Sequence, residues 1–367
     1  MSKPPSIEKL PPVWFIRAIN AFRTFLLQLN RKLFPGNVVL FEQFQQFWLL
    51  PSIYVAAKLD IAAILKEKPL TAGEISERLS LDETNVSRIL RTLSSQGVFK
   101  QTRDGRFALN GMSRALLDES GSLRHMILHH LGPVNWNLMS NLEYAVRTGK
   151  DAFTDKYGKE IYEFLKDHPE ESSLFDKSMS NLSDIGLRPI LNAFDFSKFP
   201  LITDIGGGEG FLLANILHFN PGCRGILFDT PQALEKAFEM VARYQVENRI
   251  QIIPGNFFNA IPLSGDLFIL KNIIHNWGDE ESIELLKNIH QATGTDSLLL
   301  IIEMVVSPDS KPSLAKLLDI QMMATMQGGK ERTANEYSFL LEKSGFRLSQ
   351  IIPTIAPISM ITAKKIR

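Results

Sequence analysis

From residue 199 to the C-terminus, short apolar runs alternate with stretches whose apolar residues recur at helical spacing. The predicted strands lie near residues 200–205, 224–229, 250–255, 266–271 and 297–305. Two further apolar runs, 346–352 and 359–364, are close enough in sequence to pair antiparallel at a sheet edge. The pattern predicts an α/β fold, a Rossmann-like doubly wound sheet with an antiparallel C-terminal edge strand.

The chain before residue 70 is predicted to be helical. Residues 13–34 form an apolar stretch with polar residues at helical spacing, which predicts an amphipathic helix rather than a transmembrane span. Such a helix could lie on a membrane surface or pack on a partner subunit, and its aromatic and leucine content favours the partner. Val38 to Leu65 is predicted to be helical and carries the large apolar residues Phe44, Phe47, Trp48, Leu49 and Ile53, so it needs cover, which a dimer interface would supply.

Residues 70–109 have the pattern of a winged helix-turn-helix. The stretches 70–79 and 82–93 are predicted to form two helices, with Thr71 and Asp82 as their caps. A hairpin follows over 100–109, with Asp104-Gly105 as a two-residue turn. The sequence therefore predicts a mainly helical N-terminal winged-helix domain.

This motif alone could indicate a DNA-binding protein. Arg88 and Arg91 lie on the second helix, but few other cations accompany them, and Asp104 lies among the three cations of the wing. The whole chain balances 40 Lys and Arg against 40 Asp and Glu, so it has no overall field that would attract nucleic acid. We predict no nucleic-acid partner.

Length and cysteine content limit the class of protein further. A chain of 367 residues predicts more than one domain. A single cysteine, Cys223, cannot form an internal disulfide, and no signal peptide is recognisable, so we predict a cytoplasmic protein. The predicted division is an N-terminal extension with the amphipathic helix (1–36), a winged-helix domain (37–117), a helical segment (118–195) and a sheet domain (196–367).

The helical segment 118–194 is rich in methionine, histidine and aromatic residues. Met126, Trp136 and Met179 could be ordinary core residues, or they could line a pocket for a flat apolar substrate. The sequence leaves both interpretations open.

A glycine-rich stretch begins the predicted sheet. The run Leu201-Ile-Thr-Asp-Ile-Gly-Gly-Gly-Glu-Gly210 predicts a buried strand, a tight turn and a helix start, where glycines let a nucleotide-like group approach the backbone. The next strand ends at Asp229, 23 positions after Gly206. At that distance an open α/β sheet places an acid that accepts hydrogen bonds from ribose hydroxyls.

Several motifs in order resemble one family. They are Asp204-Ile-Gly-Gly-Gly-Glu-Gly210, Phe228-Asp229-Thr-Pro231, Leu270-Lys271 with His275-Asn276-Trp277, Ile302-Glu303-Met304, and Gly328-Gly-Lys-Glu331-Arg-Thr333 followed by Tyr337. From about residue 38 onward the chain resembles class I S-adenosylmethionine-dependent O-methyltransferases of the plant type, which include caffeate and hydroxyindole enzymes and bacterial small-molecule members.

The resemblance implies a homodimer, with the winged-helix region (37–117) as dimerisation domain. It also implies that 118–195 is a substrate-binding segment, that 196–367 is the S-adenosylmethionine-binding methyltransferase domain, and that a substrate cleft lies between the two. It also implies S-adenosyl-L-methionine as the methyl donor. The residues that match the family's cofactor contacts are Ser183, Asp204, Gly206, Gly208, Asp229, Asn256, Phe257 and Lys271. The family has Asp where this chain has Asn256, but an amide carbonyl can still accept a hydrogen bond from an adenine amino group.

The resemblance also implies the catalytic residues. His275 matches the family's general base, and Glu303 and Glu331 match the two acids that flank it. A sulfonium methyl is already a strong electrophile, so no metal is expected. The family usually follows this histidine with Asp, whereas this chain has Asn276 in the predicted substrate pocket. This difference concerns the methyl acceptor rather than the cofactor.

The predicted function is methyl transfer to a hydroxyl of an aromatic or polyketide-like small molecule in secondary metabolism. One alternative keeps the cofactor but methylates carbon, or uses the cofactor without methyl transfer, in pigment or natural-product biosynthesis. An alternative of another class is a winged-helix regulator that senses a metabolite.

Overall fold

The structure is a computed structural model that describes residues 7, 9–259, 261 and 264–366. The chain forms two compact units. The helical unit contains Phe22–Ser140 and Tyr162–Asp184, and the sheet unit contains the described residues of Met1–Ala21 together with Asn141–Ile161 and Ile185–Arg367.

Helices form most of the N-terminal half. They are α1 (Val13–Lys32), α2 (Gly36–Phe44), α3 (Gln46–Lys58), α4 (Ile61–Ile64), α5 (Ala72–Leu79), α6 (Glu83–Ser95), α7 (Gly111–Arg114), α8 (Arg124–His130), α9 (Pro133–Met139), α10 (Leu142–Thr148), α11 (Ala152–Tyr157), α12 (Ile161–Asp167) and α13 (Pro169–Ala193). The stretch from Val38 to Leu65, predicted to be helical, is divided among α2, α3 and α4. The last division falls at Asp60, whose φ of 53° lies in the left-handed region and cannot continue a helix.

The predicted helix pair and hairpin are present in the helical unit. The side chain of Thr71 accepts from the backbone N–H of Glu74 at the start of α5, and Asp82 accepts from Asn85 at the start of α6. Strands β1 (Lys100–Gln101) and β2 (Phe107–Ala108) pair antiparallel.

The hairpin turn differs from the predicted two-residue turn. Thr102 N–H donates to the carbonyl of Arg106 over 2.8 Å, so three residues, Arg103 to Gly105, form the loop. Gly105 has a φ of 80°, as expected for the left-handed position of a three-residue hairpin loop.

Within its described residues, the sheet unit carries eight strands. They are β3 (Leu201–Ile205), β4 (Arg224–Asp229), β5 (Ile250–Pro254), β6 (Leu267–Lys271), β7 (Leu298–Val306), β8 (Arg332–Thr333), β9 (Phe346–Pro353) and β10 (Ile358–Lys365). Their order is β5-β4-β3-β6-β7-β10-β9, and the short β8 pairs with the C-terminal end of β7. The first five strands in this order are parallel, and β10 is antiparallel to both β7 and β9. The predicted fold class and the antiparallel edge are confirmed, with β9 as the edge strand.

Both faces of the central strands are buried. Residues such as Ile202 and Leu300 face one apolar cluster, and residues such as Ile205 and Ile301 face a second. Covered faces on both sides explain why these strands read as continuous apolar runs. The remaining helices of the unit are α14 (Phe211–Phe219), α15 (Ala237–Arg243), α16 (Asp279–Ala292), α17 (Leu314–Thr325) and α18 (Ala334–Lys343).

Candidate active site

The C-terminal ends of three neighbouring strands form the candidate site. β3 lies between β4 and β6, and the chain moves outward in opposite directions from β3, which makes this the topological switch point of the sheet. The glycine turn follows β3, Asp229 ends β4, and Lys271 ends β6. The topology therefore places the predicted cofactor residues of these strands at one edge of the sheet.

Hydrogen bonds from β4 hold the glycine turn. Gly206 donates to the carbonyl of Phe228 over 2.8 Å, and Gly208 donates to Oδ2 of Asp229 over 2.8 Å. The φ values of Gly206 and Gly208 are 70° and 58°, which explains the need for glycine at both positions. Burial raises the pKa of Asp229, while the N–H groups of Gly208 and Thr230 act in the opposite direction.

Asp204 lies directly beneath this turn. A Cβ built on Gly207 would lie 2.7 Å from Oδ2 of Asp204 and 2.5 Å from Cδ1 of Leu227, so only glycine fits there. Asp204 is 1% exposed, and neither of its carboxylate oxygens has a hydrogen-bond partner in the described part of the chain. Burial raises the pKa of Asp204 to about 7; Lys271 opposes this shift and Asp229 adds to it.

These features fit S-adenosylmethionine. Its sulfonium is a cation, and a buried carboxylate without a hydrogen-bond partner is stabilised by a nearby positive charge. A Cβ built on Gly208 would meet no heavy atom of the described residues within 4 Å, so the turn leaves open space for a ligand. Lys271 is the cation that acts on Asp204 electrostatically. Burial lowers the pKa of Lys271, and the charge of Asp204 acts in the opposite direction.

The loop after β5 supplies the next two predicted cofactor residues. The exposed side chain of Asn256 turns back on its own loop, where Oδ1 accepts from Phe258 N–H over 2.9 Å. Asn288 Nδ2 donates to the carbonyls of Phe257 and Phe258 over 3.1 and 2.9 Å, which anchors the loop. The ring of Phe257 packs edge-on against Trp277, and its Cε1 lies 3.7 Å from a Cβ built on Gly206.

His275 lies in a 3-10 turn, Ile274–Asn276, just beyond β6. Its Nδ1 lies 2.7 Å from Oε1 of Glu331, whose side chain is fully buried. Burial lowers the pKa of His275, but the hydrogen bond to Glu331 and the charges of Glu303 and Glu331 outweigh it, so the pKa is raised. The turn also reaches the glycine turn, because Cδ1 of Ile273 lies 2.5 Å from a Cβ built on Gly206.

The two acids have different partners. Glu331 contacts the imidazole, whereas Oε1 of the fully buried Glu303 accepts from the backbone N–H groups of Ile273 and His275 over 2.9 and 3.2 Å. The hydroxyl of Tyr337 donates to Oε2 of Glu303. Glu303 thus holds the backbone of the turn, and its effect on the imidazole is electrostatic.

Arg332 fixes both ends of the same turn. Its guanidinium is fully buried and donates to the carbonyls of Ile274 and Trp277 over 3.0 and 2.8 Å. It also donates through Nε and Nη2 to Oδ1 of Asp279 over 3.1 and 2.8 Å. Because Arg332 directly follows Glu331, one backbone segment carries both the carboxylate that contacts His275 and the guanidinium that holds the two ends of the turn.

The remaining predicted site residues are Asn276 and four residues of the helical unit. Asn276 is in the same turn as His275, half-buried, and its Nδ2 donates to the carbonyl of Asn272 over 3.3 Å. Met126, Trp136, Met179 and Ser183 are half-buried residues of α8, α9 and α13 in the helical unit.

Sequence reasoning gave no role to Gly207, Ile273, Tyr337 or Arg332. Tyr337 and Arg332 stand in or next to a quoted motif, but only the structure shows which groups they hold. The φ of Gly207 is one that any residue adopts, so glycine is required there because Leu227 and Asp204 pack beneath it. These two residues lie on different strands, so the sequence around Gly207 does not reveal the contact.

Comparison with known proteins identifies the family of this chain. A family model described as an O-methyltransferase domain matches residues 139–347, and one described as an O-methyltransferase dimerisation domain matches residues 41–119. The chain is 33% identical to the phenazine O-methyltransferase of Lysobacter antibioticus, across 90% of this chain and 97% of the relative. It is 32% identical to the mitomycin biosynthesis 6-O-methyltransferase of Streptomyces lavendulae, across 88% and 92%.

A solved structure has the same fold. Human N-acetylserotonin methyltransferase in complex with S-adenosylmethionine matches with a TM-score of 0.82 and 26% identity, across 91% of this chain and 99% of that chain. These matches favour the methyltransferase prediction over a winged-helix regulator. This chain belongs to the family of S-adenosylmethionine-dependent O-methyltransferases that carry an N-terminal dimerisation domain.

Proposed function

We propose that this enzyme methylates a hydroxyl group of an aromatic or polyketide-like small molecule, with His275 as the general base. The observation that carries the proposal is the hydrogen bond between Nδ1 of His275 and the buried Glu331, in a turn that packs on the glycine turn through Ile273. Relatives named for phenazine and mitomycin methylation support an aromatic or natural-product acceptor.

The imidazole is prepared to accept a proton at one nitrogen. With Nδ1–H donated to Glu331, the neutral tautomer leaves Nε2 as the acceptor for a hydroxyl proton. The carboxylate of Glu331 then stabilises the imidazolium that forms. When bound, S-adenosylmethionine supplies an electrophilic methyl group on a cationic sulfur.

The other site residues are proposed to bind the methyl donor or to hold the backbone around His275. Asp229 fixes the glycine turn through Gly208 and is proposed to bind the ribose hydroxyls. Asp204, Gly206, Gly208 and Lys271 are proposed to contact the donor, Asn256 and Phe257 to flank the adenine, and Ser183 to complete the contacts. Glu303 and Arg332 keep the backbone around His275 from moving, which preserves the alignment that methyl transfer needs.

We further propose that Met126, Trp136, Met179 and Asn276 select the acceptor, that the enzyme works as a cytoplasmic homodimer, and that the four-part division of the chain described above corresponds to its functional parts. The dimerisation domain matched at residues 41–119 supports the homodimer.

The test is an assay with a panel of aromatic hydroxyl compounds, each paired with its methyl ether. We expect a product heavier by one methylene, formed with one S-adenosylhomocysteine per product, and no reaction when the hydroxyl is already blocked. Methylation of a blocked compound would indicate a carbon acceptor. An altered product with the cofactor intact would indicate chemistry other than methyl transfer.

A further inference from the structure

Helix α1 has no buried residue along its 20 positions. Only Val13, Ile16 and Thr24 are half-covered, and every other side chain of the helix is exposed. Large apolar side chains are among the exposed ones: Trp14, Phe15, Ile19, Phe22, Phe25, Leu26, Leu27 and Leu29. Proteins in water normally expose large apolar side chains singly, not as a set along one helix.

Four of these side chains form one face of the helix. At 100° per residue, Trp14, Phe22, Phe25 and Leu29 fall within a sector less than half the circumference wide. The half-covered Val13, Ile16 and Thr24 lie on the opposite side. The apolar face therefore points to solvent, away from the side that the chain itself partly covers.

The charged residues of α1 are all of one sign. Arg17, Arg23, Arg31 and Lys32 are exposed, and the segment Val13–Lys32 contains no Asp or Glu. Within the described residues none of these four cations takes part in an ion pair. The chain as a whole has no net charge, so the net positive charge of this helix is a local feature.

Neither part of the family architecture accounts for this helix. The dimerisation model begins at residue 41 and the O-methyltransferase model at residue 139, both after α1 has ended. None of the helices in the described ranges is long and apolar enough to cross a bilayer. Helix α1 therefore combines a broad apolar face with exposed cations, but its apolar residues do not form a run long enough to cross a bilayer.

We propose that α1 lies in the plane of an anionic lipid surface and holds the enzyme on it. The aromatic and leucine side chains enter the boundary between headgroups and acyl chains, and the four cations contact the lipid phosphates. A second copy of the chain is the competing occupant, which the aromatic content alone would fit. Contact with a second subunit gives no reason for four cations without a single acid, whereas an anionic surface does.

The experiment uses the full-length protein and sedimentation with vesicles of phosphatidylcholine alone or with a third phosphatidylglycerol. We expect binding to the anionic vesicles only, and release at high salt because screening shortens the range of the attraction. A variant with Arg17, Arg23, Arg31 and Lys32 all changed to Gln should lose at least about ten-fold in partitioning. Phe22→Ser with Phe25→Ser should also release the protein.

The matched control changes four exposed cations of the helical unit, Arg78, Arg91, Lys100 and Arg103, to Gln and should keep vesicle binding. Methylation of a dissolved acceptor should be unchanged in the α1 variants, which shows that they fold. Equal binding to neutral vesicles, or full binding by the α1 charge variant, would overturn the proposal. So would conversion of the Phe22→Ser, Phe25→Ser variant to monomer in light scattering without vesicles, because α1 would then be a subunit contact.

Discussion

Nδ1 of His275 lies 2.7 Å from Oε1 of Glu331, and the two residues are 56 positions apart in the sequence. The first residue follows β6 and the second precedes β8, which joins the sheet at the end of β7. Sheet topology thus brings the imidazole and its carboxylate partner together, and Nε2 is the ring nitrogen that we propose accepts a proton.

Removing the charge of Glu331 should change both the rate and its pH dependence. Glu331→Gln keeps a carbonyl that accepts from Nδ1 but loses the carboxylate, so we expect kcat to fall about ten-fold. The base works only when neutral, and kcat rises with pH through the raised pKa of His275. Because Glu331 raises that pKa, the acidic limb of the profile should move to lower pH in the variant.

The control for this variant is Glu239→Gln, an exposed acid of α15 in the same unit. It should leave both kcat and the pH profile unchanged. A Glu331→Gln enzyme with the profile of the unaltered protein would show that Glu331 does not tune the base.

Asp204 should make stability without ligand depend on pH. Its pKa is about 7 in the folded protein, against 3.8 as its ordinary value, so the folded protein holds this proton more tightly than the unfolded chain. Stability from this group is complete below pH 3.8 and is lost as pH rises to about 7, up to roughly 4 kcal/mol. Asp204→Asn should therefore gain stability relative to the unaltered protein as pH rises.

The measurement is denaturant unfolding of both proteins between about pH 4 and 8, together with calorimetry of S-adenosylhomocysteine and S-adenosylmethionine binding. We expect the stability difference to grow with pH and Asp204→Asn to lose affinity mainly for the cationic donor. A pH-independent difference, with unchanged affinity for both ligands, would contradict the role given to this carboxylate.

Arg332 should act through the position of His275. Arg332→Met leaves the carbonyls of Ile274 and Trp277 without their buried donor, so we expect a loss of about 2–4 kcal/mol in unfolding free energy. Arg332→Lys keeps the charge without the planar fork and should lower kcat while retaining the His275 limb of the pH profile.

Lys330→Met is the matched control for Arg332. Lys330 also pairs with Asp279, over 3.2 Å, but its side chain is 35% exposed, so its loss should cost no more than about 1 kcal/mol. If Lys330→Met and Arg332→Met were equally destabilising, the clamp assigned to Arg332 would be wrong.

The aromatic cluster of α2 and α3 should form the dimer contact. Phe44 stacks on Phe47 and packs edge-on against Trp48, yet all three rings are more than half exposed in the single chain. Phe44→Ser with Trp48→Ser should give a monomer in light scattering, whereas Phe238→Ser, an exposed ring of the sheet unit, should not. A Phe44, Trp48 variant that remains dimeric would place the interface elsewhere.

The strands from β3 to β7, together with β9 and β10, were predictable because each is a short apolar run between turns. Their observed bounds differ from the predicted ones by no more than one residue. β8 was missed because Arg332 and Thr333 have no apolar pattern, and their pairing with β7 is visible only in three dimensions. The loop of the hairpin was misjudged because Asp-Gly suits both two- and three-residue loops, and Thr102 decides between them through its bond to Arg106.

The positions of candidate site residues were predictable where they follow directly from the ends of apolar strands, as for Asp229 and the glycine turn. The partners of the acids were not. Whether Glu303 contacts the imidazole or the backbone of its turn depends on how β7 aligns beside β6, which pairs Lys271 with Ile302. The burial of Arg332, a residue type usually found at the surface, likewise depends on the carbonyls that surround it.

The most direct test is the single-turnover rate of methyl transfer in the unaltered enzyme and in His275→Gln, both saturated with donor and acceptor, as a function of pH. The acceptor should be a phenol whose hydroxyl is neutral throughout. We expect the unaltered enzyme's rate to rise through the raised pKa of His275 and the variant to be slower by about 10²- to 10⁴-fold, without that rise. A variant with the same rate and the same pH dependence would contradict the assignment of His275 as the base.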